Sequence, residues 1–363
     1  MNILFVGKAR LEFGGPSLVM SNLKKKININ KFHNVEILDI DKFDIKTIFE
    51  ILFFKKFENY LFKFDLVHFH ELWSPYIILF AYKSQRLGIP YFFTFHGVLN
   101  KWSLKKNNIL KKFFLKIFSK YIFKISHAFH FLNKKEFDEV KILSKYFNSK
   151  SFVLKNGIEI ENKILKKNFT NKNDIIDLLY FGRIHPKKGI IDLINMFKII
   201  KKNKLKINLK IVGPDTQYKK YLVSEINKYE LSDYITFSDP IYSINDKIKL
   251  FSKSKYFILP SYDEADSMAL KESLSYGVPI IITRDCKFEN PENFNIGYMI
   301  EHDHNKIYEK IKIIFEKRGN YNEMSDKCHE FAKNNFDLNI ISNNYIELTK
   351  EIVSGAKYSD NWL

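Results

Sequence analysis

Apolar and polar positions along the chain fall into two alternating series. In the first, short apolar runs occur at 2–7 (NILFVG), 35–40 (VEILDI), 66–70 (LVHFH), 91–97 (YFFTFHG), 128–133 (AFHFLN) and 151–157 (SFVLKNG). Longer stretches with helical spacing separate most of them. Runs this short and this apolar predict strands covered on both faces, and their alternation with helices predicts a parallel sheet. A polar, poorly patterned stretch at 158–174 interrupts the series. The pattern then resumes at 176–183, 207–214, 234–240, 255–261 and 278–285. The expected architecture is α/β: two Rossmann-like, doubly wound halves, with ligands at the carboxyl ends of the strands. The expected boundaries are 1–160 for the first half, 161–174 for a linker and 175–335 for the second. A C-terminal helix at 336–363 is expected to pack back on the first half.

Length and composition fit this plan. A chain of 363 residues allows two domains with proper cores, and 45% hydrophobic residues is normal for a globular protein. No apolar run approaches the ~20 residues that span a bilayer. The opening MNILFVGK lacks a basic leader region and reads as a strand, not an export signal. Cys286 and Cys328 make no metal spacing and are expected as free thiols in a reducing compartment, the cytoplasm. The net charge of +18 is uneven: residues 1–165 hold 28 Lys/Arg against 14 Asp/Glu. That surplus implies an anionic partner such as a membrane surface, a nucleic acid or a phosphorylated substrate, or else a lysine-rich solubilising composition. No RNP, KH or helix-turn-helix signature supports nucleic-acid binding.

Candidate chemistry sits at strand ends. After the first run, GKARLEFGGPS places Gly14 and Gly15 where backbone can approach a ligand and a helix can present free N–H groups. It is neither G-x-G-x-x-G nor a P-loop, which argues against NAD and ATP. In YFGRIHPKKGI (180–190), Arg183 and Lys188 flank a strand end, two cations suited to a departing diphosphate. In LPSYDEADSMALKESLSYGVPII (259–281), Glu264 lies in a loop and Asp266 or Ser267 can cap a helix that carries Glu272. A nucleotide sugar needs one carboxylate for sugar hydroxyls, one for the ribose diol, and positive charge between. Taken singly, each segment is equally an ordinary turn or a solvated helix face.

Taken together, FGRIHPKKGIIDLI and the later LPSYDEADSMALKESLSYGVPII resemble glycosyltransferase family 4, whose members have the GT-B fold and an E-x7-E motif, here Glu264 and Glu272. GGPS, LVHFHELWSP and FTFHGVLNKWSLKK stand in the family's order in the first half, and VLKNGI (153–158) matches its interdomain crossing. The resemblance implies two domains facing across a cleft. It implies a retaining hexosyl transfer from a UDP- or GDP-sugar to a glycan or polyprenyl-linked acceptor in surface polysaccharide or lipopolysaccharide synthesis. Glu264, His96, Arg183 and Lys188 would be catalytic. Gly14, Gly15, Arg183, Lys188, Asp266, Ser267, Met268 and Glu272 would bind the donor, and His70 and Trp73 would line the acceptor side. The cations would replace any metal, and no cofactor beyond the co-substrate is implied. The chain departs from the family's Glu-Gly-Phe-Gly, reading Glu264-Ala265-Asp266-Ser267, so Asp266 adds a negative charge. Runners-up are a GT-B epimerase, a glycogen-synthase relative, or a basic nucleic-acid-binding protein.

Two metal-like patterns are set aside. His68 and His70 share a strand face but have no third ligand in view. Asp39-Ile40-Asp41, an Asp-x-Asp, reads as a surface loop. Finally, residues 101–126 contain eight lysines and no acid. Leu110, Phe113, Phe114, Ile117, Phe118, Tyr121, Ile122 and Ile125 recur at helical spacing, beside Lys112, Lys116, Lys120 and Lys124. The apolar face is expected on the sheet and the lysines on an anionic membrane, with Trp102 and Leu104 dipping into it. That would place the protein peripherally on the inner face of the cytoplasmic membrane.

Overall fold

The computed structural model describes residues 1–10, 15–29, 31–44, 55–105, 109, 111, 113–115, 126–141, 150–161, 167, 169, 174–214, 216–316 and 321–355. The chain forms two compact units: Met1–Glu159 with the chain from Phe336 on, and Ile160–Asn335.

In the first unit six parallel strands are β1 (Asn2–Gly7), β2 (Asn34–Asp39), β3 (Leu66–Phe69), β4 (Tyr91–Thr94), β5 (Ala128–Phe131) and β6 (Ser151–Val153). Their order is β2-β1-β3-β4-β5-β6, so the direction of winding reverses between β1 and β3. Every residue of β3, β4 and β5 is buried. That is why these runs are mostly apolar rather than alternating, with His68, Thr94 and His130 as buried polar members. The connecting helices are α1 (Gly15–Ile29), α2 (Lys55–Leu61), α3 (Pro75–Arg86), α4 (Lys101–Lys105) and α5 (Lys134–Lys141).

The second unit contains β7 (Ile176–Phe181), β8 (Leu209–Val212), β9 (Ile235–Ser238), β10 (Ser254–Leu259), β11 (Ile280–Thr283) and β12 (Gly297–Ile300). The order β12-β11-β10-β7-β8-β9 puts the reversal between β7 and β10. Its helices are α6 (Ile190–Lys202), α7 (Gln217–Lys228), α8 (Ile244–Ser252), α9 (Met268–Ser275), α10 (His304–Glu316) and α11 (Tyr321–Phe336). β12 escaped the hydrophobic pattern because GYMI is a half-buried edge strand, recognised only by its pairing with β11. Lys167, in the polar stretch before β7, donates to the carbonyls of Phe251 (3.3 Å) and Tyr276 (2.9 Å) at the ends of α8 and α9. Burial pulls its ammonium down to about 7.

The last helix, α12 (Leu338–Ser354), belongs to the first unit. Asp337 caps it, accepting from Asn339 N–H. Ile158 bridges to its start through Ile158 N–H to Phe336 O (2.8 Å) and Leu338 N–H to Ile158 O (2.9 Å). Within 101–126, Leu104, Phe114 and Leu115 pack on the first core. Leu104 is therefore anchored in the protein rather than available to a membrane. Phe113, expected on the packed face, is 61% exposed, and Ile109 is 85% exposed. Leu110, Ile117, Phe118, Tyr121, Ile122 and Ile125, with Lys112, Lys116, Lys120 and Lys124, lie outside the described residues.

Candidate functional site

At the second reversal, the loops after β7 and β10 are fastened to each other. Gly189 follows the tight turn Pro186–Lys188 at φ 69°, and a Cβ there would lie 2.0 Å from the Pro260 carbonyl. Glycine is what allows the two strand ends to touch. Lys187 O accepts from Tyr262 N–H (2.9 Å) and Ser261 Oγ–H (3.1 Å), while Glu264 N–H donates to Asp285 O (2.9 Å). These bonds hold Glu264, only 7% exposed, with its Oε1 2.5 Å from Lys188 Nζ. Arg183 is exposed and, among the described residues, makes no salt bridge; Tyr180 OH donates to its carbonyl at 2.7 Å. Ser267 caps α9 through its Oγ, which accepts from Leu270 N–H, leaving the helix to begin at Met268.

Each carboxylate from 263 to 272 has an ammonium partner. Asp263 meets Lys187 (2.7 Å) and Lys287 (3.1 Å), and Glu272 Oε1 meets Lys247 Nζ at 2.7 Å. Asp266 pairs with Lys271, which is 1% exposed. The added negative charge expected of Asp266 is thus compensated within the protein. Lys187, Lys247, Lys271 and Lys287 were missed in the sequence. Lys187 adjoins Lys188 in PKKG, but the other three are recognisable only from their folded positions. Beside the pair, burial and the charge of Glu264 push the Cys286 thiol up to about 12, so it is inert; Cys328 is likewise buried and free.

The first unit places histidines at its own strand ends. Leu154 O can only accept, so His130 Nε2 carries the proton at 2.7 Å and its Nδ1 is bare. Thr94 Oγ–H then donates to His130 Nδ1 (2.7 Å), and its oxygen accepts from His68 Nε2–H (2.6 Å). His68 Nδ1 accepts from Tyr345 OH (2.9 Å) on α12. One carbonyl thus sets every tautomer in the row, and both nitrogens of His68 are occupied. His70 Nδ1 lies 3.0 Å from His96 Nε2. His96 sits at φ 49°, and the turn is braced by buried Glu136, which accepts from Gly97 N–H (2.7 Å) and Leu132 N–H (2.8 Å). Burial, then neighbouring imidazoles, lowers these rings: His96 to about 3, His130 to about 4 by burial alone, and His68 and His70 well below the ordinary value.

Trp73 faces Phe114 edge-on at 5.4 Å, with Lys111 Nζ 5.3 Å from its ring centre. His70, expected on the acceptor side with Trp73, meets His96 through its Nδ1. Gly14 lies outside the described residues. Gly15 opens α1, and a Cβ there would meet no atom within 4 Å. Asp39, expected in a surface loop, is tied down: its Oδ1 accepts from Ala9 N–H (3.1 Å) and Asp41 N–H (3.3 Å). Asp41 pairs with Lys8 at 3.4 Å.

Two parallel six-stranded α/β units with charged loops at a strand-order reversal are the architecture of a GT-B glycosyltransferase. The sequence is more specific. Residues 161–335 match the model of glycosyl transferases group 1 and residues 29–162 that of glycosyltransferase family 4, and the chain belongs to this family. It is similar to CapM, a capsular polysaccharide biosynthesis glycosyltransferase of Staphylococcus aureus: 27% identity over 199 residues, 51% of this chain and 50% of that one. HepE of Anabaena, solved with UDP and glucose, superposes with a TM-score of 0.75 at 15% identity, covering 97% of this chain and 100% of that one. The apo lipopolysaccharide outer core galactosyltransferase WaaB gives 0.66 at 16% identity, covering 96% and 100%.

Proposed function

We propose that this glycosyltransferase moves a hexose, with retention of anomeric configuration, from a UDP- or GDP-sugar to a glycan or polyprenyl-linked oligosaccharide of the cell surface. The observation that carries the reading is the Lys188–Glu264 pair, 2.5 Å apart at the β7/β10 reversal, with exposed Arg183 on the same loop as Lys188. Ligands of open α/β sheets bind at such reversals. CapM's role in capsule synthesis, the UDP and glucose in HepE and WaaB's place in lipopolysaccharide synthesis support the substrate class.

In this mechanism the acceptor hydroxyl attacks from the face that the diphosphate leaves. The bond from the anomeric carbon to the diphosphate breaks, the new glycosidic bond forms, and a diphosphate oxygen takes the acceptor's proton. Arg183 and Lys188 meet the developing charge, the work a metal does elsewhere. Glu264 accepts from a sugar hydroxyl, Glu272 from the ribose diol, and the N–H groups of 266–268 face the diphosphate or sugar. Glu272 exchanges its Lys247 contact for the ribose. With a ring held down to about 3, His96 is neutral and serves as a hydrogen-bond partner rather than an acid. Melting shifts with UDP, GDP and their sugars identify the donor. Transfer with saturating donor then tests the site: Glu264→Ala should abolish it, and near-normal turnover would overturn the assignment. Loss of activity in EDTA, restored by magnesium or manganese, would overturn the metal-free step.

We place the enzyme at the inner face of the membrane. Among the described residues no helix is long and apolar enough to cross a bilayer. Support comes from the acid-free lysine stretch at 101–126 and from the exposed Trp102, Ile109 and Phe113 within it. Each lysine near an anionic surface contributes about 1 kcal/mol. Sedimentation with anionic liposomes should fall with salt and with Lys→Glu changes at 112, 116 and 120. No binding at low salt would mean a soluble acceptor or a protein anchor.

A further inference from the structure

The first unit has a strand-order reversal of its own, between β1 and β3. A cavity of about 330 Å³ opens in the loops that follow β1, β2 and β3. That volume is at the small end of the range for ligand sites, roughly 300–1,000 Å³. Lys8 lines it from the end of β1, Asp41 from the turn after β2, and Glu71 and Trp73 from the loop after β3. Its wall includes Phe43 and Tyr76, whose rings meet edge-on at 5.3 Å; Phe43 also stacks on buried Phe80 at 5.9 Å.

The cavity carries charges of both signs. Lys8 Nζ lies 3.4 Å from Asp41 Oδ1. Burial pushes the Glu71 carboxyl upward, against the pull of Lys8 and the N–H groups of Leu72 and Trp73. A free anion would meet two carboxylates, and a cation would meet Lys8. The helix α3 begins in the same wall: Ser74 is its N-cap residue but makes no side-chain cap bond, and Pro75 follows. The Ser74 hydroxyl and the first-turn N–H groups are donors, while Asp41 and Glu71 are acceptors. Uncharged hydroxyls, which donate and accept at once, match such a mixed lining. A pyranose also has an apolar face that packs on an aromatic ring.

We infer that this cavity, bounded by Lys8, Asp41, Glu71, Trp73 and Ser74, is the subsite for a neutral sugar residue of the acceptor. The inference rests on the glycosyltransferase reading, but it makes its own demand: binding without donor, at the first unit. The test is saturation-transfer NMR on the full chain with methyl glucoside, methyl galactoside and methyl glucuronide. At least one hexoside should bind and the glucuronide should not. Trp73→Ala, and separately the pair Asp41→Asn with Glu71→Gln, should weaken hexoside binding by about tenfold. The melting shift produced by UDP or GDP, whichever the wild type shows, should be unchanged in both. Absence of hexoside binding, equal binding of the glucuronide, or wild-type binding by the variants would overturn the inference. Should Trp73→Ala lose its cooperative melt, Trp73→Phe and the carboxamide pair carry the test. Hexoside binding without a shift from either UDP or GDP would sink the nucleotide-donor reading and leave the subsite standing; the reverse result would sink the subsite alone.

Discussion

Two buried networks in similar sheets, one at the β7/β10 reversal and one along β3, β4 and β5, are furnished differently. At β7/β10 the loops carry Asp263, Glu264, Asp266 and Glu272, each against a lysine. Along β3, β4 and β5 of the first unit, buried imidazoles and hydroxyls instead form a row aligned by one carbonyl. On the proposed function, the paired cations of the second unit suit a departing diphosphate. The buried row of the first unit has each member hydrogen-bonded, the condition for burying polar groups without loss.

The comparison breaks most visibly at Lys188. On the proposed mechanism, Lys188→Ala removes a cation from the leaving group, and it deprives Glu264 of its ammonium partner. Turnover should fall roughly 10²–10³-fold, the scale for losing one preorganised charge-stabilising donor. Initial rates at saturating donor measure it, with circular dichroism confirming the fold.

Acid should act first on the other side. His130 titrates at about 4 in the fold against 6.5 in its ordinary state, a depressed value. The unfolded chain then binds more protons between those limits. The stabilisation is full above pH 6.5 and is lost as pH falls toward 4, by roughly 3 kcal/mol for this ring. Urea midpoints followed by tryptophan fluorescence read this unit selectively, since Trp73, Trp102 and Trp362 all fall within its segments. A midpoint flat from pH 7 to 4 would mean the histidine row does not hold the fold.

Gly189→Ala tests how tightly the charged loops are joined. A left-handed φ costs an alanine about 1–2 kcal/mol, and the approach to Pro260 adds overpacking of roughly 1–3 kcal/mol. Denaturant unfolding should show a loss of more than about 2 kcal/mol, together with weaker UDP binding. Tyr345→Phe is the mildest change. It deprives buried His68 Nδ1 of its donor, at about 1 kcal/mol. It should leave the UDP melting shift as it was, which would separate the two halves of the comparison.

Much of this molecule is local information. The apolar runs at 2–7, 66–70 and 176–183 correspond to β1, β3 and β7, since a strand buried on both faces is predominantly apolar. Ser267 was legible as a cap and Glu264 and Glu272 as a spaced pair, because a cap and a helical interval depend on a few adjacent residues. Even Asp266 was visible, but its sign was misleading until Lys271 was found beside it.

What the sequence by itself determined, then, was two α/β series and the acidic and basic groups at their strand ends. Tertiary structure alone decided which strands are neighbours, where the winding reverses, that GYMI is a strand, and which lysine meets which carboxylate. It also decided that His70 turns to His96 and that Tyr345 returns to close the histidine row. The partners of Lys188 and His68 stand 76 and 277 residues away. Propensity and periodicity act over one or two helical turns, whereas an ion pair or a buried hydrogen bond is chosen by whatever packing brings within about 3 Å.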